Sequence, residues 1–294
     1  MGTLGELTER TVGTALVYGC PAFVNRVRNV GTPIWERDWD VLLVLDACRT
    51  DLMREVADEY DFVGRENVGT LWSVGSKSNE WMERTFAREH AADVERTAYV
   101  TSNPFTSKVR FGAEPAVLDE VWKYAWDDDV STVPPRPVTD RAIDTWREGD
   151  ADRMVVHYMQ PHGPFLSRPD MGTYGDPADF GVGFSSLWGE AGRTIPMAEV
   201  WKAYRDNLRL VLDDVALLLA NLDAERVAIS ADHGNAVGEW GVYGHPGDVL
   251  LPCIRRVPWV ETTGTDTGEY DPETAREEEN VEDLEERLRS LGYK

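Results

Sequence analysis

Residues 226–259 read RVAISADHGNAVGEWGVYGHPGDVLLPCIRRVPW. Val227 to Ser230 is a short apolar, β-leaning run that stops at Asp232-His233-Gly234, so a buried strand delivers an acid and an imidazole at its carboxyl end. Open α/β sheets keep their ligands at that edge. Twelve residues after His233, a Gly-His-Pro turn presents His245, and the loop between them is rich in glycine and aromatic residues. The pattern predicts part of a metal site whose partners come from elsewhere in the chain.

Working outward, residues 198–222 form the clearest helix, with Val200, Tyr204, Leu208, Val211, Val215, Leu218, Leu219 and Leu222 on one broad face. Before it, Met154 to Tyr158 is a strand ending in Gln160-Pro161-His162-Gly163-Pro164, a rigid turn that presents His162; His157, inside the strand, reads as a hydrogen-bonded core histidine. Residues 167–193, glycine-rich and aromatic with little periodicity, read as a substrate-side lid. Asp40-VLLVL-Asp46 is a continuous apolar run suited to a buried parallel strand and again ends in an acid, followed by helical spacing from Arg49 to Tyr60. Asp46 at that tip reads equally as a ligand or as a helix cap. In GTLWSVGSKSNEWMERTF, residues 69–86, the Gly/Ser-rich part is a loop and Asn79 opens a helix. Ser76 and Ser78 therefore sit where free N–H groups favour an anion, or serve as its N-cap, and Lys77 between them is a candidate oxyanion contact. Thr97 to Thr101 is a further strand, residues 138–148 a helix, and Asp127-Asp128-Asp129 a solvated acidic turn. Strands alternating with helices predict an α/β fold. No internal repeat occurs.

Composition narrows the function classes. Fifty-three acids oppose 30 bases, a net charge of −23, which excludes nucleic-acid binding through a general basic surface. Acid excess with only five lysines resembles proteins of salt-loving archaea, whose carboxylates stay hydrated in high salt. Cys20, Cys48 and Cys253 are too scattered for a disulfide framework, which fits a reducing interior. Glu6, Glu9 and Arg10 interrupt any signal-peptide core, and no run of about 20 apolar residues could span a bilayer, so a cytoplasmic location is expected. Thr11 to Val30 carries enough apolar residues for a docking helix or a membrane-surface helix.

Four stretches in combination, LLVLDACRTD (42–51), SVGSKSNEW (73–81), HYMQPHGPF (157–165) and ADHG with GE and GHP (231–246), resemble the alkaline phosphatase superfamily. Within it they resemble the sulfatase-like branch that includes phosphoglycerol and phosphoethanolamine transferases. The helix AYRDNLRLVLDDV (203–215) and the closing LRSLGY (288–293) look alike too, so the resemblance covers most of residues 40–294. It implies a three-layer α/β/α sandwich around a mostly parallel sheet, with a helical lead-in over 1–38, a catalytic domain over 39–260 and an acidic C-terminal segment over 261–294 ending in an amphipathic helix. It also implies that Asp46, Ser78, Asp232 and His233 bind a divalent cation (Mn, Zn or Mg), with Ser78 as nucleophile. His162 and Lys77 would hold the anionic oxygens of a small ester substrate, and His245 would be a further ligand or the leaving-group acid. The implied reaction is hydrolysis or transfer of a phosphate or sulfate ester through a seryl intermediate.

Three departures from the family pattern bear on this. Ser78-Asn79-Glu80-Trp81 lacks the C/S-x-P-x-R pattern of formylglycine sulfatases, so no formylglycine is expected. Ser76 lies two residues from Ser78 and stays open as the nucleophile. Gln160 stands where two-metal members carry an acid, which implies one tight metal, with His162 and His245 available for a weaker second; Glu239, at the GE position, could instead support the ligands from behind. Two other readings compete. Cys20 to Arg26 has the Cys-x5-Arg spacing of cysteine phosphatases, but Phe23 and Val24 do not suit a loop that must wrap phosphate, and Cys48 reads as a packed thiol. The non-enzyme reading is a sulfatase-like protein that binds an anionic ligand or a protein partner without turnover.

Overall fold

A computed structural model describes residues 30–172, 187, 191 and 194–273. Residues 1–29, Cys20 and Arg26 among them, most of the expected lid, and the C-terminal amphipathic helix lie outside these residues. The strands are β1 (Val41–Leu45), β2 (Gly69–Trp72), β3 (Thr97–Thr101), β4 (Val117–Glu120), β5 (Arg153–Tyr158), β6 (Ala224–Ser230), β7 (Ala236–Val237), β8 (Tyr243–Gly244) and β9 (Arg256–Gly264). The main helices are α1 (Thr50–Val56), α2 (Ser78–Thr85), α3 (Pro135–Glu148) and α4 (Met197–Leu219).

Seven strands form one sheet in the order β2-β9-β6-β1-β5-β3-β4. From β6 to β4 all neighbours are parallel, whereas β9 runs antiparallel to both β6 and β2. The two central strands explain themselves: VLLVL of β1 and RMVVHY of β5 are buried at every position, as strands covered on both faces must be.

The two faces carry different helices. On one, Tyr158 of β5 meets Thr139 of α3 through their hydroxyls at 2.9 Å, and α4 packs beside α3. On the other, Trp81 of α2 meets the His157 ring edge-on at 5.4 Å, and Phe86 stacks near Tyr99 at 4.7 Å. Helices on both faces of a mostly parallel sheet make the expected three layers. In α4 the buried Val200, Tyr204, Leu208, Val211, Val215 and Leu218 repeat at three or four residues, the period that aligns one face with the core.

Two strands depart from the sequence reading. GTLW of β2 is a strand, not a loop, and β9 carries the sheet to Gly264, past residue 260. Pro258 has no N–H for the ladder, and its carbonyl accepts from Ser230 Oγ at 2.8 Å. Tyr270, from the acidic segment, donates to Asp140 Oδ1 of α3 at 2.7 Å, so that segment also meets the domain. Asp127 Oδ1 accepts the N–H groups of Asp129 and Val130, an acidic turn closed on itself.

The turn from β2 into α2 depends on Gly75. A Cβ there would stand 2.5 Å from Trp81 N and 2.8 Å from its Cα. Gly75→Ala is therefore expected to destabilise the fold by about 1–3 kcal/mol in urea unfolding; an unchanged midpoint would show that the turn yields without cost.

Candidate active site

Strands β1 and β6 are adjacent and parallel, with Val44 opposite Ser230, so the loops leaving their carboxyl ends emerge side by side. They bring Asp46, Asp232 and His233 together, fully buried, with one ligand atom from each lying within 4.8 Å of the others. The backbone fixes Asp232: its Oδ1 accepts the N–H groups of Ala47 at 3.0 Å and of His233 at 2.8 Å. Ala47 holds a left-handed φ of 61°, and its carbonyl accepts the Tyr204 hydroxyl of α4. Helix α1 begins only at Thr50 with Arg49 as its cap position, so Asp46 is not a helix cap.

Ser78 is the first residue of α2, after Lys77, whose side chain does not cap the helix. Its hydroxyl donates to Asp46 Oδ2 at 3.3 Å and stands 3.3 Å from His233 Nε2. Ser76 faces elsewhere: its Oγ donates to Glu80 Oε2 at 2.8 Å, and the same oxygen accepts its N–H. Of the two serines, Ser78 meets Asp46 and Ser76 meets Glu80.

His162 and His245 adjoin this cluster. Their Nε2 atoms lie 3.1 Å apart, and the His245 and His233 ring centroids are 4.3 Å apart. Asn207 of α4 steadies the His162 turn by donating to the carbonyls of Pro161, His162 and Pro164. Lys77 runs alongside Gly247, where an added Cβ would come within 3.2 Å of its Nζ; burial, then His233, His162 and the Lys77 charge, hold the His245 pKa well below its usual value.

Electrostatics separates the two acids. Burial, and then repulsion from Asp232, push the Asp46 pKa well above its usual value. Burial works the same way on Asp232, but His233, His157 and the Ala47 N–H outweigh it and leave that carboxyl lowered. Burial holds His162 and His157 down to about 4, so both are neutral at pH 7. The Cys48 thiol is buried and pushed up, first by burial and then by Asp51 and Asp232, as befits a packed thiol rather than a nucleophile.

The donor set fits a divalent cation. Asp46 Oδ1 and Asp232 Oδ2 are buried without a hydrogen-bond partner among the described residues. His233 Nδ1 faces Gly234 O at 2.9 Å, so with the proton there its Nε2 lone pair faces the acids. Two hard oxygens and one imidazole suit Zn, Mn or Mg alike.

Three positioning residues escaped the sequence reading. Asn103, just past β3, donates to Asp46 Oδ2 at 2.8 Å; its place at the same sheet edge was the available signal. Asn207 lay hidden in the amphipathic face of α4. Buried Arg49 donates to Asn235 O at 2.6 Å and to Glu239 Oε1 at 2.7 Å, tying down the loop between His233 and His245. Glu239, paired with Arg49 and accepting the Val237 N–H, braces that loop. Gln160 is buried and donates to Val133 O at 3.0 Å.

No family model matches the sequence, and neither does any curated protein. Solved structures match in fold. The soluble domain of lipooligosaccharide phosphoethanolamine transferase A from Neisseria meningitidis is 14% identical with a TM-score of 0.51, over 78% of this chain and 77% of that one. The integral membrane protein of that name, from the same organism, is 15% identical with a TM-score of 0.54, over 83% of this chain and 50% of that one. This chain thus spans half the length of the latter. The likeness is one of fold alone: an alkaline-phosphatase-like α/β architecture around a mostly parallel sheet.

Two buried acids side by side should weaken the metal-free protein. Because the folded-state pKa of Asp46 lies above its ordinary 3.8, its contribution to stability is complete below that value and is lost as pH rises through the folded pKa. Asp46→Asn should therefore raise the melting temperature of metal-free protein at pH 7 by a few degrees, about 1 kcal/mol, with the gain shrinking towards pH ~4. A lower melting temperature at pH 7 would contradict this assignment.

Proposed function

We propose that the chain is a metal-dependent enzyme that hydrolyses or transfers phosphate esters through a covalent intermediate on Ser78. The observation that carries this reading is the position of Ser78 Oγ, at a helix start and 3.3 Å from both the Asp46 carboxylate and the His233 imidazole. Asp46, Asp232, His233 and Ser78 itself would hold the ion. When bound, it supplies Lewis acidity that lowers the serine pKa and polarises a phosphoryl oxygen.

The chain's own groups do the rest. Asn103 and Ser78 both donate to Asp46 Oδ2, which fixes the direction of the Ser78 hydroxyl. The first turn of α2 favours the anionic ester oxygens. His162, neutral at pH 7, and His245, whose pKa burial holds down, adjoin His233, and Lys77 adds positive charge on the His245 side. Ser78 Oγ attacks phosphorus and gives up its proton to an imidazole of the His162–His245 pair, which passes it to the departing leaving-group oxygen; water or an acceptor alcohol then attacks phosphorus, its proton returning by the same pair to Ser78 Oγ as that oxygen leaves. Phosphate is favoured over sulfate because the Ser78 loop lacks the formylglycine pattern and both fold neighbours above are named as phosphoethanolamine transferases.

A second reading, binding of an anionic ester without turnover, has one observation in its favour. Gln160 occupies the place of a second-site acid and is turned to Val133.

The test is turnover of a panel of p-nitrophenyl phosphate, a phosphodiester and a sulfate ester at high salt, with metal analysis of the purified protein. Ser78→Ala should lower turnover at least about 10³-fold, whereas Ser76→Ala should keep it within about tenfold, since that hydroxyl is turned to Glu80. Equal turnover in Ser78→Ala would sink the mechanism, and bound metal with no turnover on any ester would select the second reading.

A further inference from the structure

Behind Asp232 lies a second layer that the proposed reaction does not use. Tyr99 of β3 and His157 of β5 share the sheet face covered by α2, and the Tyr99 hydroxyl stands 2.8 Å from His157 Nδ1. The other ring nitrogen, Nε2, is 3.8 Å from Asp232 Oδ2. Both Nε2 and Oδ2 are buried without a hydrogen-bond partner among the described residues.

A neutral imidazole has one N–H, and the two choices for its place differ in consequence. With the proton on Nδ1, the ring would turn a bare lone pair towards a carboxylate oxygen in a site without water's screening. With the proton on Nε2, the Tyr99 O–H donates to Nδ1 and the ring presents an N–H to Oδ2. Only the second choice gives Nδ1 a donor in Tyr99 and turns an N–H, rather than a lone pair, towards Oδ2 across 3.8 Å.

We infer that Tyr99 and His157 are a positioning pair for Asp232, in which the Tyr99 hydroxyl fixes the His157 tautomer and the His157 Nε2–H orients Oδ2 towards the metal position. Asp232 is then held from two sides, with Oδ1 on the N–H groups of Ala47 and His233 and Oδ2 facing His157. Partners of this kind behind a ligand set its orientation and its basicity. The inference rests on the proposed metal site, and neither Tyr99 nor His157 touches substrate in it.

The test uses the full chain stripped of metal, with Zn²⁺ titrated by calorimetry and nitrogen NMR of the histidine rings. Tyr99→Phe, which removes one oxygen, and His157→Leu should each weaken Zn²⁺ binding about 10- to 100-fold. His157→Gln, which keeps an N–H donor, should recover most of that loss. The NMR spectrum of metal-free protein should place the His157 proton on Nε2, with a resonance that moves on Asp232→Asn. Unchanged Zn²⁺ affinity in both Tyr99→Phe and His157→Leu, or a proton on Nδ1, would overturn the inference. If His157→Leu does not fold, Tyr99→Phe decides. If the parent chain binds no Zn²⁺, the metal site fails on its own account and the NMR arm decides: a His157 resonance indifferent to Asp232→Asn overturns the pairing, and a responsive one upholds it.

Discussion

Two carboxylates buried against each other at the ends of adjacent strands are the constraint around which this chain is arranged. A lone ionised carboxylate in an apolar interior is strongly disfavoured, and a second beside it more so. The fold answers unequally. Asp232 receives two backbone N–H groups and the neighbourhood of two imidazoles, whereas Asp46 receives the neutral donors Asn103 and Ser78. What remains is one oxygen on each acid without a hydrogen-bond partner among the described residues, in a cluster whose ligand atoms lie within 4.8 Å of one another. A fold selected for stability alone would have no use for that arrangement; the proposed cation would give it one.

The shell around the acids is built to keep the loops from relaxing away from this strain. Tyr204 donates to the Ala47 carbonyl, Ser73 to the Asp232 carbonyl, and Asn207 to three carbonyls of the His162 turn. Arg255, fully buried, donates to the carbonyls of Ser73, Val249 and Val30. Each bond reaches a main-chain oxygen in a loop and comes from a side chain rooted in or beside a regular element. The sheet supplies rigidity; these donors carry it into segments without a ladder of their own.

Most of this scaffold could be read from the chain itself, for a physical reason. VLLVL, TAYVT and MVVHY are continuous apolar runs because central parallel strands are covered on both faces, and such runs are hard to mistake. GTLW and RVPWVETTG are not, because β2 is an edge and β9 carries a proline and exposed polar residues in an antiparallel pairing. In the site, Asp46, Ser78, Asp232 and His233 stood out because each ends a strand or starts a helix. Asn103 and Asn207 did not: an asparagine in an Asn-Pro turn reads as turn chemistry, and one inside an amphipathic helix has no periodic signature. Their partners lie 57 and 43 to 46 residues away in sequence, and only the folded chain brings them together.

The nucleophile loop and the His245 loop are not independent pieces. Glu80, in the first turn of α2, takes the Ser76 N–H and hydroxyl on Oε2 and the Asp248 N–H on Oε1 at 2.8 Å, one carboxylate joining two loops. Gly247 sits against this joint, where a Cβ would come 2.8 Å from Glu80 Oε1 and 2.9 Å from Lys77 Cε. A side chain at that position would have to displace the ends of Glu80 and Lys77 from the joint. Ser76 thus has its own task as the partner of Glu80, which leaves Ser78 free to face the acids. The Glu80 carboxylate and the buried Arg255, which donates to both Ser73 O and Val249 O, thus tie the loop that leads to Ser78 to the loop that follows His245 without a shared element of secondary structure.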